Sequence, residues 1–285
     1  MEPDDPQPEP RDELAPGAVS PDELPGAAEV VPGAGETESS RAPEPTAEEP
    51  AAAPSRRRGC LRVVLVLFAV GVVWLGWEAA TWPKVAVLAR ERPGKTAFMW
   101  RWVRRTGKSI DWRWVPYSRI SPNLKRAVLV GEDINFFSHD GFDTAEQRQA
   151  LAEAWKEKRL PRGASTISQQ VAKNLWLDPS YSPLRKAKEA LLTVQLEHDL
   201  SKRRILEIYL NVAELGPGIF GAEAAARHYF GIPAAELSES QAAALAAGLP
   251  SPEDWHPGST RRAYTYRVRL ILRRMAKAHF LWKLI

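Results

Sequence analysis

Residues 163–177 read GASTISQQVAKNLWL. Ile167, Val171 and Leu175 recur at i, i+4 and i+8, one face of a 3.6-residue repeat, which predicts an amphipathic α-helix. The same rhythm continues on both sides. Upstream, Ser121-Pro122 supplies an N-cap and a first-turn proline for a helix leading to Glu132. Downstream, Ser182-Pro183 opens a helix by the same device, and Ser201 caps another. Ser238 and Gln241 have capping-box spacing for SESQAAALAAG, residues 238–248, which stops at Gly248 before Pro250. A last helix is expected over about 259–279. Few alternating strand patterns appear, so the fold class is mainly α, in one helical domain.

Chemistry gathers at three places in this helical body. GEDINFFSHDG, residues 131–141, follows the apolar run AVLV and sets Glu132 and Asp133 beside Phe136, Phe137 and His139. A solvated acidic turn has no need of two phenylalanines. Aromatic surroundings that desolvate a carboxyl raise its pKa and make it a usable base. His139 by itself reads as a packing histidine. In the helix of 163–177, Ser165, Gln169 and Lys173 are spaced by four, with Gln170 and Asn174 on the adjacent face. That strip is neutral and hydrogen-bonding, unlike the Glu- and Lys-rich face that water favours, and it suits hydroxyl and amide groups such as those of sugars. RKAKE, residues 185–189, places Arg185, Lys186 and Glu189 in the first turns of a helix. It reads either as an i, i+4 surface pair of about 0.3–0.5 kcal/mol or as a cationic cluster for pyrophosphate with a second carboxylate across a cleft from Glu132. No HExxH, GxGxxG, Walker or GxSxG context occurs.

Beyond these stretches the composition divides. Residues 1–54 hold 14 Asp and Glu, 2 Arg and 12 Pro, a net charge of −12, and read as a disordered acidic tail through about residue 55. The remainder holds 37 Lys and Arg against 21 Asp and Glu, a net +16, and should seek anionic partners. The single Cys60 excludes an internal disulfide framework and a Cys-rich zinc site. Residues 63–77 carry no charge. With Arg62 snorkelling outward, the 60–82 segment reaches the roughly 20 residues of a bilayer span. Arg56, Arg57, Arg58 and Arg62 precede it and Trp74, Trp77 and Trp82 close it, so the tail is expected in the cytoplasm and the body outside. RWVRRTGKSIDWRWVPYSRI, residues 101–120, interleaves Trp and Arg; beside an anchor this reads as contact with lipid headgroups rather than nucleic acid.

GEDINFFSHDG, RGASTISQQVAKN (162–174), RKAKE, KRRILEIYLN (202–211) and RLILRRM (269–275) occur in that order. Together they resemble the five motifs of the family 51 peptidoglycan glycosyltransferases, which polymerise lipid II, and the likeness runs over about 84–279. NVAELGPGIFGAEAAARHYFG and LAAGLPSPEDWHPGS resemble the linking segments of the short, monofunctional members. The resemblance implies a lysozyme-like helical glycosyltransferase domain at 84–285, with an apolar portion that dips into the membrane. It implies Glu132 as base and Glu189 as a supporting carboxylate. Asp133, Phe136 and His139 complete the first motif; Ser165, Thr166, Gln169, Gln170 and Lys173 line the saccharide and phosphate path. Arg185 and Lys186 face pyrophosphate, and Glu207, Tyr209 and Asn211 shape the cleft. Ala164 and Ser168 stand where the family commonly has Gly and Thr.

The implied partners are lipid II, the growing glycan chain and membrane lipids, with cell-wall synthesis or division proteins as further candidates and no nucleic acid. No cofactor is required and no metal ligand set is present, which leaves room only for an assisting divalent cation. The implied location is the bacterial inner membrane, single-pass, with a periplasmic catalytic domain. Two other readings stay open on residues alone: a glycan-cleaving enzyme of the lysozyme or lytic transglycosylase type, and a non-enzymatic membrane-tethered scaffold.

Overall fold

A computed structural model describes residues 56–158, 165–178, 180 and 182–285. The acidic tail and Ala164 lie outside the described residues. The chain divides into two units, 1–64 and 65–285. Helix α1 spans Arg56–Ala80; it carries no charged residue over 63–77, and its large apolar side chains from Leu61 to Trp77 are exposed. Its span has a mean hydropathy of 2.2, and it is the one described helix long and apolar enough to cross a membrane.

The unit 65–285 contains α2 (Ala97–Thr106), α3 (Pro122–Glu132), α4 (Thr144–Lys156), α5 (Ile167–Trp176), α6 (Pro183–Asp199) and α7 (Lys202–Val212). After them come α8 (Ala222–Phe230), α9 (Glu239–Gly248) and α10 (Arg262–Met275). Two packing groups share one core. In one, α3, α9 and α10 pack on one another; in the other, α5 packs on α6 and α7. The interior of α9 is alanine at Ala242, Ala243, Ala246 and Ala247, all buried, so neighbouring backbones can approach closely. Arg126 of α3 is 2% exposed yet fully engaged at its tips. Nη1 donates to Glu239 at 2.9 Å, Nη2 to the Met275 carbonyl at 2.7 Å, and the guanidinium lies 4.1 Å from the Trp282 ring. One side chain thus ties α3 to α9, α10 and the last turn of the chain.

The start of α7 works in a similar way. Lys202 pairs with Glu197 of α6 at 2.8 Å and Arg203 donates to the Leu284 carbonyl. Arg204 donates to the carbonyls of Leu88 and Glu91, at 2.8 and 2.6 Å, in the segment after α1. The caps expected at Ser121, Ser201 and the Ser238–Gln241 box are present. Ser182 makes no side-chain cap bond, and α6 starts on Pro183 instead. The last helix is also shorter than expected, closing at Met275 before the turn that carries Trp282.

A small sheet escaped the sequence reading: β1 (Asp111–Trp112), β2 (Glu214–Gly216) and β3 (Ile219–Phe220), in the order β1-β3-β2. β1 runs parallel to β3 and β2 antiparallel. Strands this short carry no periodicity. The signal lay in Gly216-Pro217-Gly218, where Gly218 has φ +74° and any β-carbon would collide with the Trp102 ring. Trp102 is buried in the core and Trp112 and Trp114 pack against it, so the indoles of the Trp–Arg stretch form a structural seam.

Glu214 in β2 is a half-buried carboxyl whose pKa burial raises to about 7, against a weak bond from the Gly218 amide. Of its charged neighbours, Glu253 pushes the same way and Arg105 and Arg101 oppose it. The folded state therefore holds a proton that the unfolded chain releases near pH 4.5, and stability falls as pH rises from about 4.5 to about 7. Glu214→Gln should raise Tm at pH 8 and leave it nearly unchanged at pH 5. An equal difference at both pH values in thermal melts would contradict this.

Candidate active site

Glu132 is the last residue of α3, and two side chains grip its carboxylate. Gln170 Nε2 of α5 donates to Oε2 at 3.0 Å, and Arg267 Nη2 of α10 donates to Oε1 at 2.8 Å. Tyr209 of α7 donates from its hydroxyl to Gln170 Oε1 at 3.0 Å, which turns the amide nitrogen toward Glu132. Burial, reinforced by the Glu132 charge, holds the Tyr209 pKa well above its ordinary value, so it remains a donor. Four helices converge on one carboxylate. Each of its oxygens keeps a second acceptor direction.

Asp133 turns the other way. Its Oδ2 accepts the backbone N–H of Ile167, the first residue of α5, at 2.9 Å. Its Oδ1 lies 3.0 Å from His139 Nε2. His139 Nδ1 accepts from the Gly141 amide at 3.2 Å, which places the ring proton on Nε2, toward Asp133. Thr166 Oγ1 donates to the Gly141 carbonyl at 2.6 Å, and Thr166 and Gln169 form a reciprocal capping box. Gly141 has φ +90°, and a β-carbon there would press on Thr193 and Glu197 of α6. Phe136 is fully buried, edge-on to Phe137 and His139, with the Lys202 ammonium 4.6 Å from its ring centre. The aromatic wall anticipated around Glu132 is a packing cluster around His139; an amide and a guanidinium touch the carboxylate instead.

The third cluster lies on α6. Glu189 is 2% exposed; Arg185 Nη1 donates to it at 2.6 Å and Lys186 pairs with its other oxygen. Arg185 also donates to the Ser180 carbonyl at 2.6 Å. Lys173 of α5 makes no ion pair among the described residues. Burial lowers its pKa first, with Arg185 and Lys186 lowering it further, while Glu189 and Glu132 act to raise it. Lys173 is therefore within electrostatic reach of both carboxylate clusters.

The structure thus brings Glu132, Gln170, Tyr209 and Arg267 together, and it groups Asp133, His139, Thr166 and Gln169 as their support; Lys173, on α5 as Gln170 is, touches the Phe98 ring. Gln169 is buried and spent on the cap, so it leaves the hydrogen-bonding strip expected from spacing. Ser165 precedes the helix and offers its carbonyl to Gln170 at 3.4 Å. Ser168 bonds Glu197. Glu207 and Asn211 face the other way: Glu207 accepts the Tyr117 amide at 3.2 Å, and Asn211 clamps Val115 at both its amide and carbonyl. Among the described residues no group of His, Cys, Asp and Glu could hold a metal ion. Arg267 is the residue missed. It stands three after Tyr264 and four before Ile271, within the buried stripe of α10, and an arginine in an apolar stripe is the signal that marks it. Arg267 and Arg274 also donate to the last carbonyls of α3, at Gly131 and Val130.

A transglycosylase family model matches residues 101–276. The chain belongs to the transglycosylase family. It is 46% identical over 233 residues to a biosynthetic peptidoglycan transglycosylase of Bordetella avium, covering 78% of this chain and 97% of that protein. It is 43% identical over 227 residues to one of Nitrosospira multiformis, with the same coverage. Every clustered side chain described above, Arg267 included, falls inside the matched transglycosylase span.

Asp133→Ala removes the acceptor at the start of α5 and leaves His139 unpaired. It should destabilise this transglycosylase by about 1–3 kcal/mol, the range for losing a cap and stranding a buried donor. Asp133→Asn keeps one acceptor oxygen and should cost less. Urea melts showing the alanine variant equal to wild type would remove Asp133 from this role.

Proposed function

We propose that this transglycosylase polymerises lipid II into β-1,4-linked glycan strands and releases undecaprenyl diphosphate. Glu132 takes the proton of the acceptor's GlcNAc 4-hydroxyl as that oxygen attacks the donor's anomeric carbon from the face opposite the leaving group. The attack inverts the configuration. Gln170 and Arg267 aim the carboxylate, and its free lone-pair positions accept the incoming hydroxyl. The leaving pyrophosphate develops negative charge that fixed cations stabilise. The observation that carries this reading is a carboxylate gripped by an amide and a guanidinium in a domain that also holds the Arg185–Lys186 cluster, with Lys173, partly desolvated, as a further cation. Arg185 and Lys186 extend the cationic surface, with Glu189 holding them in place.

A lipid-linked substrate requires the site to stand at the bilayer surface. Leu184, Leu191 and Val194 are exposed on α6, the helix that carries Arg185 and Lys186. The same helix meets the end of the anchor segment: Lys188 pairs with Glu78 at 2.6 Å, and Trp82 Nε1 donates to Gln195 at 2.7 Å. These contacts support α6 as the membrane-facing element of a domain on the periplasmic side of the inner membrane. Arg56, Arg57, Arg58 and Arg62 before the span favour that orientation. A glycan-cleaving enzyme would need the carboxylates but not the cationic cluster.

Glu132→Gln keeps the shape and the Gln170 contact but loses the base. Strand formation from lipid II should fall by about 10²–10⁴-fold, the usual scale of general-base loss, with Tm little changed. Near wild-type turnover would overturn the assignment. Release of fragments from finished sacculi, with no polymer from lipid II, would overturn the reaction class.

A further inference from the structure

We propose that Glu78 and Trp82 at the end of the anchor, with Lys188 and Gln195 of α6, form a two-point coupling that holds the Arg185–Lys186 cluster at a fixed height over the bilayer. Lys188 and Gln195 are then positioning residues that touch no substrate. This inference rests on the polymerase reading above.

Glu78 is the one charged residue between positions 63 and 82. A carboxylate at the end of an apolar span is costly beside lipid and calls for a partner. Lys188 Nζ meets it at 2.6 Å, with the lysine and glutamate side chains 30% and 29% exposed. The same ammonium lies 5.6 Å from the Trp82 ring centre, and Trp82 Nε1 donates to Gln195 Oε1 at 2.7 Å. Between the two attachments, Thr81 Oγ1 donates to the Trp77 carbonyl at 2.8 Å. All of these residues belong to the unit 65–285.

A single exposed ion pair is worth little, because solvent screens it. Spacing gives this one its effect. Lys188 and Gln195 are seven residues apart, which is about 10 Å along a helix. Two attachments that far apart fix a direction as well as a point. The tilt of a helix in a bilayer is set by such packing and by aromatic and basic side chains at the interface. Past Trp82 the chain stays fastened: Val85 and Leu88 are buried, the turn Val85–Ala89 packs on α6, and Arg204 holds the Leu88 and Glu91 carbonyls. Lys188 adjoins Glu189 and stands three residues after Arg185, so the coupling lies within one turn of the cluster. Leu184 and Leu191, four residues before and three after Lys188, share its face and are exposed. A lipid-linked substrate carries its phosphates at the depth of the headgroups. A cluster held at that depth meets them, and one that rocks meets them less often. In a detergent micelle the substrate has no fixed plane, so the coupling has nothing to align.

The test compares the full chain in lipid nanodiscs and in detergent. Glu78→Lys sets two ammonium groups against each other, and combining it with Lys188→Glu restores the pair in reverse. In nanodiscs, kcat/KM for lipid II should fall about tenfold in the single variant and recover in the double variant. In detergent all three chains should agree within about twofold, the scale of a surface substitution. Gln195→Leu removes the Trp82 acceptor and should lower the nanodisc value by about threefold. A second readout does not depend on turnover. In a Cys60→Ser background, Leu191→Cys supplies the one thiol for an environment-sensitive dye, quenched by lipids brominated at known depths. Its depth should shift with Glu78→Lys and return in the double variant. Equal loss of turnover in both media would make the pair local packing and overturn the coupling. Wild-type nanodisc turnover with unchanged dye depth in Glu78→Lys would overturn it too, as would a double variant that recovers neither. A wild-type chain that makes no polymer in either medium would strike the polymerase reading, and the dye depth would still decide the coupling.

Discussion

The buried carboxylate of Asp133 joins the end of α3 to the beginning of α5. It accepts the first amide of α5, where the helix dipole favours negative charge, and it takes the proton-bearing nitrogen of His139. Its neighbour Glu132 then meets Gln170, one turn further along α5. Two consecutive residues at the close of one helix thus engage two positions a turn apart on another. That double attachment fixes the direction of the Glu132 carboxylate, and the segment 136–141 is wrapped to complete it. Gly141 lets the wrap pass close to α6, and Phe136 fills the space beside His139.

The charges around this joint are arranged in matched sets. Glu132 has Arg267 and Glu189 has Arg185 and Lys186, while Asp133 accepts hydrogen bonds from the His139 ring N–H and the Ile167 amide. Buried ion pairs gain little net stability, because desolvation of both partners offsets their attraction. Their persistence here is better understood as positioning: each pair holds a charged group where an anionic, hydroxyl-bearing substrate would need it. Lys173 differs from the rest in lacking a dedicated ion-pair partner among the described residues. A desolvated cation in that state gains most when an anion arrives.

The basic run at the start of α7 shows charge used for architecture instead. Lys202, Arg203 and Arg204 point to three separate segments and bind a carboxylate or backbone carbonyls in each. The helix they open carries Tyr209 and Asn211 at its far end. Tethering its beginning sets the height at which those two residues meet Gln170 and Val115.

Local physics determined much of this protein before any fold was known. The long apolar helix, the helical class, the caps at Ser121, Ser201 and Ser238, and the paired Arg185 and Glu189 all follow from composition, periodicity, capping chemistry and residue spacing. Those are interactions within about one helical turn, and sequence records them directly. The resemblance named Glu132, Gln170 and Lys173 among its site residues, although spacing alone had put Gln169 on the hydrogen-bonding strip that the capping box removes it from. Tertiary structure decided the rest. Arg267 reaches Glu132 across 135 positions and Trp112 reaches Asn211 across 99, and no local pattern encodes either approach. The three-stranded sheet was hidden for the same reason, since its strands are too short for a period and exist only because β1 meets β3 from far away. Contacts between residues distant in sequence depend on how helices stack, and stacking is settled by the whole core at once.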